Sequence, residues 1–177
     1  AEVVLTDERL YRDGPPCGLQ TRQRYATRGC GAESAPDRTM LGQDQRQWLV
    51  ERLTGSTRRW KLWTNETMVM PFRLPAWLAA RLHPGSGDEP ALADVYLSLD
   101  QWDGYQAERA LLTEALADVE GLVVLTGDLH SFISGTLRTP AGRDVASCLM
   151  VGSVTSPNLI ELLAGRTLPS LPLPLGR

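Results

Sequence analysis

Residues 122–126, Leu-Val-Val-Leu-Thr, form an unbroken apolar run that stops abruptly at Gly127-Asp128. A run this short, bounded by a turn signal, reads as a buried strand. The segment before it, Tyr105 to Val119, is the clearest helix in the chain. Ala107, Ala110, Leu111, Ala115 and Leu116 supply its apolar positions, and Glu108 and Glu114 are expected to face outwards. Helix followed by strand is half of an α/β unit, and similar signals recur. Val3 to Leu5 and Val145 to Val151 read as further buried strands. Gly42 to Leu53 reads as a helix with Trp48, Leu49 and Leu53 on one face and Gly55 as its stop. Trp60 to Met70 predicts one or two strands, and Trp77 to Leu82 a short helix in a region broken by Pro71, Pro75, Pro84 and Pro90. Residues 14–39 read as a long loop. The fold class expected is therefore an α/β layered domain.

With 42% hydrophobic residues the chain can bury a core, which excludes disorder. Its 18 basic and 21 acidic residues, net −3, leave no basic footprint for nucleic acid or an anionic membrane. No apolar run is long enough to form a transmembrane helix. The opening residues, Ala-Glu-Val-Val-Leu, read as the inside of a strand, so the expectation is a chain that begins mid-domain. The tail over 168–177 alternates with Pro and is expected to be extended. Cys17 and Cys30 lie in one Gly/Pro-rich loop, where a short-loop disulfide and free thiols are both open readings. Cys148 sits in an apolar run and reads as an inert core thiol.

Asp128 and His130 follow the apolar strand immediately. Ligands in open α/β sheets bind beyond the carboxyl ends of strands. Side chains two residues apart in extended chain point the same way, so a carboxylate and an imidazole there are candidate metal ligands. The plainer reading is an Asp capping a turn beside a surface His. Asp7-Glu-Arg-Leu-Tyr-Arg12 also follows a strand. Arg9 and Arg12 are candidates for holding a phosphate with paired donors, against the alternative of a solvated, salt-bridged turn. Trp102 and Tyr105, flanked by Asp100 and Asp103, either wall a pocket or pack at a helix entrance capped by Asp103. Asn65 stands in strand-like sequence where Asn is disfavoured, which suits a turn or a ligand role. His83 reads as a surface residue. Ser153, Thr155 and Ser156 need no explanation beyond a turn.

Taken in order, these segments resemble the PhoD-type alkaline phosphatase and phosphodiesterase family. The resemblance is carried by Asp7-Glu-Arg-Leu-Tyr-Arg12 and by Arg38-Thr-Met-Leu-Gly-Gln-Asp-Gln-Arg-Gln-Trp-Leu49. It continues through Trp60-Lys61 with Asn65, Trp102-Asp-Gly-Tyr105 with Glu108-Arg109, Gly127-Asp-Leu-His130, and Val151 to Pro157. It implies a metallophosphatase-like α/β/β/α sandwich, of which residues 1–177 would be the later part of one catalytic domain. It implies extracytoplasmic hydrolysis of phosphomonoesters or phosphodiesters by metal-activated water, with Fe3+ and Ca2+ as the metals. Carried over by position, Asp128, His130 and, more weakly, Asn65 resemble metal ligands. Arg9 would stabilise charge on the phosphate, and His130 would also touch the reacting oxygens. The family's earlier Asp-rich ligand segments have no counterpart here. The missing half is therefore expected in cis or in trans, the alternative being a non-catalytic, phosphatase-like binding module.

Overall fold

The computed structural model describes residues 1–17, 26–74, 76–82, 95–152 and 154–158, and the features below are those of these residues. His83, Ser153 and the tail over 168–177 lie outside them.

Four parallel strands and one antiparallel strand form the main sheet. They are β1 (Glu2–Leu5), β3 (Lys61–Thr64), β5 (Leu122–Thr126), β7 (Asp144–Met150) and β6 (Ile133–Arg138), in the spatial order β1-β3-β5-β7-β6. β6 joins at the edge through a hairpin with β7. The strands β2 (Thr27–Arg28) and β4 (Val95–Tyr96) make a separate two-stranded antiparallel ribbon. Helices α1 (Gln43–Thr54), α2 (Ala76–Leu82) and α3 (Gln106–Ala115) complete the regular structure. Of the one or two strands expected over Trp60 to Met70, one forms, and it ends at Thr64.

The ladder register sorts side chains into two faces. Val4, Trp63, Val124 and Cys148 lie in one row across the sheet, and all are buried with Leu49 and Leu53 of α1 and Leu112 of α3. Trp63 meets Trp102 edge to face, with ring centroids 5.9 Å apart. The neighbouring row on the other face is Leu5, Thr64, Leu125 and Leu149. Here Leu5 is 64%, Val3 56% and Leu149 40% exposed. Val3 to Leu5 is thus not a wholly buried strand: Val4 alone points to the helices. Parallel strands normally have both faces covered, so an apolar open face is the most unusual property of this sheet.

Helix α3 is turned differently from its hydrophobic pattern. Leu111 is exposed, while Glu108, Leu112 and Thr113 are buried. The i, i+4 partners Glu108 and Leu112 lie on the buried face because Glu108 has partners there. Its carboxylate accepts from the Met40 and Leu41 backbone N–H groups, from the Thr39 hydroxyl (2.8 Å) and from Arg46 Nη1 (3.2 Å). A buried carboxylate satisfied this fully is tolerated where an unpaired one is not. In α1, Leu49 and Leu53 are buried but Trp48 is 44% exposed. The turn into β5 requires Gly121. Its φ is 69°, and an added Cβ would lie 2.0 Å from the Arg59 carbonyl oxygen.

Trp102 and Tyr105 are fully buried, which removes the pocket-wall reading. The Tyr105 hydroxyl donates to the Asp13 carbonyl oxygen (2.5 Å). Asp103 is a core residue as well: it accepts from Arg109 Nη1 and from the Phe72 N–H, both at 2.8 Å. Cys17 and Cys30 are joined in a disulfide, so the reading of three free thiols does not hold; Cys148 is free and buried.

Candidate functional site

Because β1, β3 and β5 run parallel, their carboxyl ends open at the same edge. Three sequence-distant segments leave there: Thr6 to Arg12, Asn65 to Thr67, and Gly127 to His130. Arg9 Nη2 donates to Asp128 Oδ1 at 2.8 Å, and Arg9 Nη1 donates to Asp100 Oδ2 at 3.3 Å. Arg12 Nη1 reaches Asp100 Oδ1 at 2.9 Å and the Asp100 carbonyl oxygen at 2.7 Å. Partial burial works against the charged form of Arg9, but the carboxylates of Asp128 and Asp100 raise its pKa above the ordinary arginine value. The cluster is a guanidinium pair organised by two carboxylates, with Arg9 still about one-third exposed.

Gln101 ties this cluster to the core. Its side-chain Nε2 donates to Asp128 Oδ2 (2.5 Å), and its Oε1 accepts from the Met68 N–H (2.6 Å). Both oxygens of Asp128 are therefore engaged. The backbone at Asp128 and His130 is left-handed, with φ of 70° and 52°. Non-glycine residues rarely adopt that region, and such strain collects at functional positions. His130 Nδ1 lies 2.9 Å from the Pro157 carbonyl oxygen, so the imidazole is anchored from the other ring nitrogen than Nε2.

Asn65 is 2% exposed. Its Oδ1 accepts from the Thr67 N–H (3.2 Å) and from the Trp102 indole N–H (3.4 Å), while its Nδ2 is buried with no partner among the described residues. Arg9, Asp128, His130 and Asn65 stand out in the sequence as separate candidates. The contacts join Arg9 directly to Asp128, and tie Asn65 to the same edge through Trp102 and the loop that carries Gln101. The parts played by Glu8, Asp100 and Gln101 are not legible in the sequence. An acid one residue before a candidate arginine, and an Asp-Gln pair just ahead of Trp102, carry no pattern that separates them from surface polar residues.

The donor set does not form a closed metal centre. Among the described residues, the one group of three His, Cys, Asp or Glu ligand atoms within 4.8 Å of one another is Cys17, Cys30 and Glu33. Two of its members are consumed by the disulfide and present no thiolate. Asp128 is occupied by Arg9 and Gln101, and the Asn65 oxygen is turned towards indole and amide donors. A site that binds a metal through several oxygen and nitrogen ligands would need groups that these described residues do not provide.

A parallel α/β sheet with a charged cluster beyond its strand ends is the arrangement of a ligand-binding or enzymatic α/β domain. The chain belongs to the PhoD-like phosphatase family, whose model matches residues 1–167. It is 33% identical over 105 residues to alkaline phosphatase D of Bacillus subtilis (strain 168), a match that covers 58% of this chain and 15% of that protein. A solved structure described as the structure of PhoD superposes with a TM-score of 0.68 at 24% identity, over 87% of this chain and 27% of that one. That likeness shows the fold, an α/β sandwich of which this chain holds a part. The chain spans only about a quarter or less of the length of these relatives.

Proposed function

We propose that this chain is part of the catalytic domain of a phosphoric ester hydrolase and that its strand-end cluster holds the phosphate group of the substrate. The carrying observation is the meeting of Arg9 and Asp128, 119 residues apart in sequence, at the shared end of parallel strands. Arg9 presents a planar fork of N–H donors that matches phosphate oxygens. In this reading its role is to neutralise charge as it builds on phosphorus-bound oxygens. Asp128 and Asp100 hold the guanidinium in place before substrate arrives. His130, anchored through Nδ1, keeps Nε2 for the reacting oxygens or for a ligand role.

Metal dependence with iron and calcium is the family expectation. Asp128, His130 and Asn65 would be an incomplete contribution to it, and the remaining ligands would come from protein outside residues 1–177. The exposure of Leu5 and Leu149, in the row that also holds the half-buried Leu125, supports the same view, because it leaves apolar sheet surface for a second layer of a sandwich. The Cys17–Cys30 disulfide supports an oxidising, extracytoplasmic compartment. One observation favours a second reading, a domain that binds without catalysis: both Asp128 oxygens are engaged by protein donors.

The test is hydrolysis of p-nitrophenyl phosphate and bis-p-nitrophenyl phosphate, with metal content measured in parallel. It is run on this chain and on a longer polypeptide that contains it. Turnover and bound metal in the longer protein are the expected result, with turnover lost in Arg9→Ala and in His130→Ala. Turnover that survives both substitutions would sink the assignment. Phosphate binding with no turnover in either protein would favour the second reading.

A further inference from the structure

Glu8 immediately precedes Arg9 and is fully buried, yet no cation pairs with it among the described residues. Its Oε2 accepts the Glu66 backbone N–H at 2.8 Å, while the Glu66 carboxylate accepts the Glu8 backbone N–H at 3.2 Å. Its Oε1 accepts from the Thr6 hydroxyl at 2.5 Å, and that hydroxyl oxygen receives the Trp63 indole N–H at 2.8 Å. The β1–β3 ladder ends at Leu5 and Thr64, with one further bond from the Thr6 N–H to the Thr64 carbonyl oxygen (3.1 Å). Past that point nothing regular joins the two strands, and the reciprocal Glu8–Glu66 exchange takes over. Arg9 follows Glu8 directly, and Asn65 precedes Glu66.

We propose that the Glu8–Glu66 exchange is a clasp that fixes the loop carrying Arg9 against the loop carrying Asn65, so that Glu8 is a positioning residue for anion binding at the strand ends. The binding half of this inference rests on the function proposed above; the positioning half does not. A buried carboxylate is costly unless its acceptor capacity is used, and here both oxygens are used to hold backbone and core groups in register. Loops beyond strand ends have few restraints from the sheet itself, and the exchange adds to the Asp7–Gln45 bonds (both 2.9 Å) that tie the same loop to α1. A guanidinium can grip an anion tightly only if its own position is set beforehand.

Glutamine can replace the clasp chemically. Its carbonyl oxygen accepts the Glu66 N–H, and its amide donates to the Thr6 hydroxyl oxygen. Alanine can do neither. The experiment records the Arg9 side-chain 15N–1H signals by NMR, assigned through Arg9→Lys, in the full chain with Glu8, Glu8→Gln and Glu8→Ala. Inorganic phosphate is then titrated into each. Expected are Arg9 signals and phosphate affinity preserved in Glu8→Gln. In Glu8→Ala the Arg9 signals should collapse towards free arginine and affinity should fall about tenfold. Should Glu8→Ala fail to fold, Glu66→Ala, at an exposed position, removes half of the exchange and should shift the same signals. Unchanged Arg9 signals in both alanine variants would overturn the clasp. If the parent chain shows no phosphate binding, the anion site falls, and the Arg9 signals alone still decide whether the clasp positions the residue.

Discussion

Arg9 Nη2 and Asp128 Oδ1 lie 2.8 Å apart at the ends of β1 and β5, with β3 between the two strands. An ion pair that spans two strand positions makes the strand-end edge a single charged unit. In a longer polypeptide that contains this chain and carries the proposed activity, Arg9→Ala is expected to lower kcat/KM for p-nitrophenyl phosphate by about 10²–10³-fold, the usual effect of losing one charge-stabilising donor. Arg9→Lys should recover only part of that, since an ammonium cannot fork. Steady-state kinetics on the two variants checks both.

Burial raises the Glu8 carboxyl to about 7, with smaller opposing effects from its Thr6 and Glu66 bonds and a raising effect of the Glu66 charge. The sign follows from linkage. A folded-state pKa above the unfolded value near 4.5 means the folded chain holds the proton longer. The stability this contributes is complete below about pH 4.5 and is lost as pH rises through about 7. The difference amounts to about 3 kcal/mol at most. Urea unfolding between pH 4.5 and 8 should show this decline, and Glu8→Gln should flatten it.

Glu108→Ala should destabilise the chain by about 3 kcal/mol, because it strands the Met40 and Leu41 N–H groups and leaves Arg46 without its carboxylate. Glu114→Ala, on the exposed side of the same helix, should change stability by no more than about 0.5 kcal/mol. Chemical denaturation of the pair separates a buried hub from a solvated acid.

Leu5→Lys places a charge in the open apolar row. In this chain, where Leu5 is 64% exposed, the cost should stay within about 0.5 kcal/mol. In a longer polypeptide whose second layer covers that row, the same change should cost at least about 2 kcal/mol. Equal small effects in both proteins would mean that the face stays open.

The thiols should titrate in three stages. Burial pushes Cys148 up to about 12, so it holds almost no thiolate at neutral pH and should resist Ellman's reagent in the native chain. Unfolding without reductant should expose one thiol, and unfolding with reductant all 3 cysteines. Opening the Cys17–Cys30 bridge should lower stability by about 3 kcal/mol, given its sequence separation of 13.

Much of this molecule is written locally. The run from Leu122 to Thr126, the stop at Gly127-Asp128 and the helices near 43–54, 76–82 and 106–115 follow from patterning within a few residues. Arg9, Asp128 and His130 stood out because each comes just after an apolar strand. That also made the family legible, since its motifs appear in order along the chain. What stayed hidden depends on neighbours far away in sequence. The inward turn of Glu108 answers backbone donors near residue 40, and the burial of Trp102 answers Trp63. Glu8 needs Glu66, and Asp128 needs Arg9 and Gln101. Hydrophobic periodicity reports the face a residue prefers when nothing specific pairs with it. A satisfied hydrogen bond in a low-dielectric interior outweighs that preference, and its partner is chosen only when the parallel strands bring their carboxyl ends to one edge.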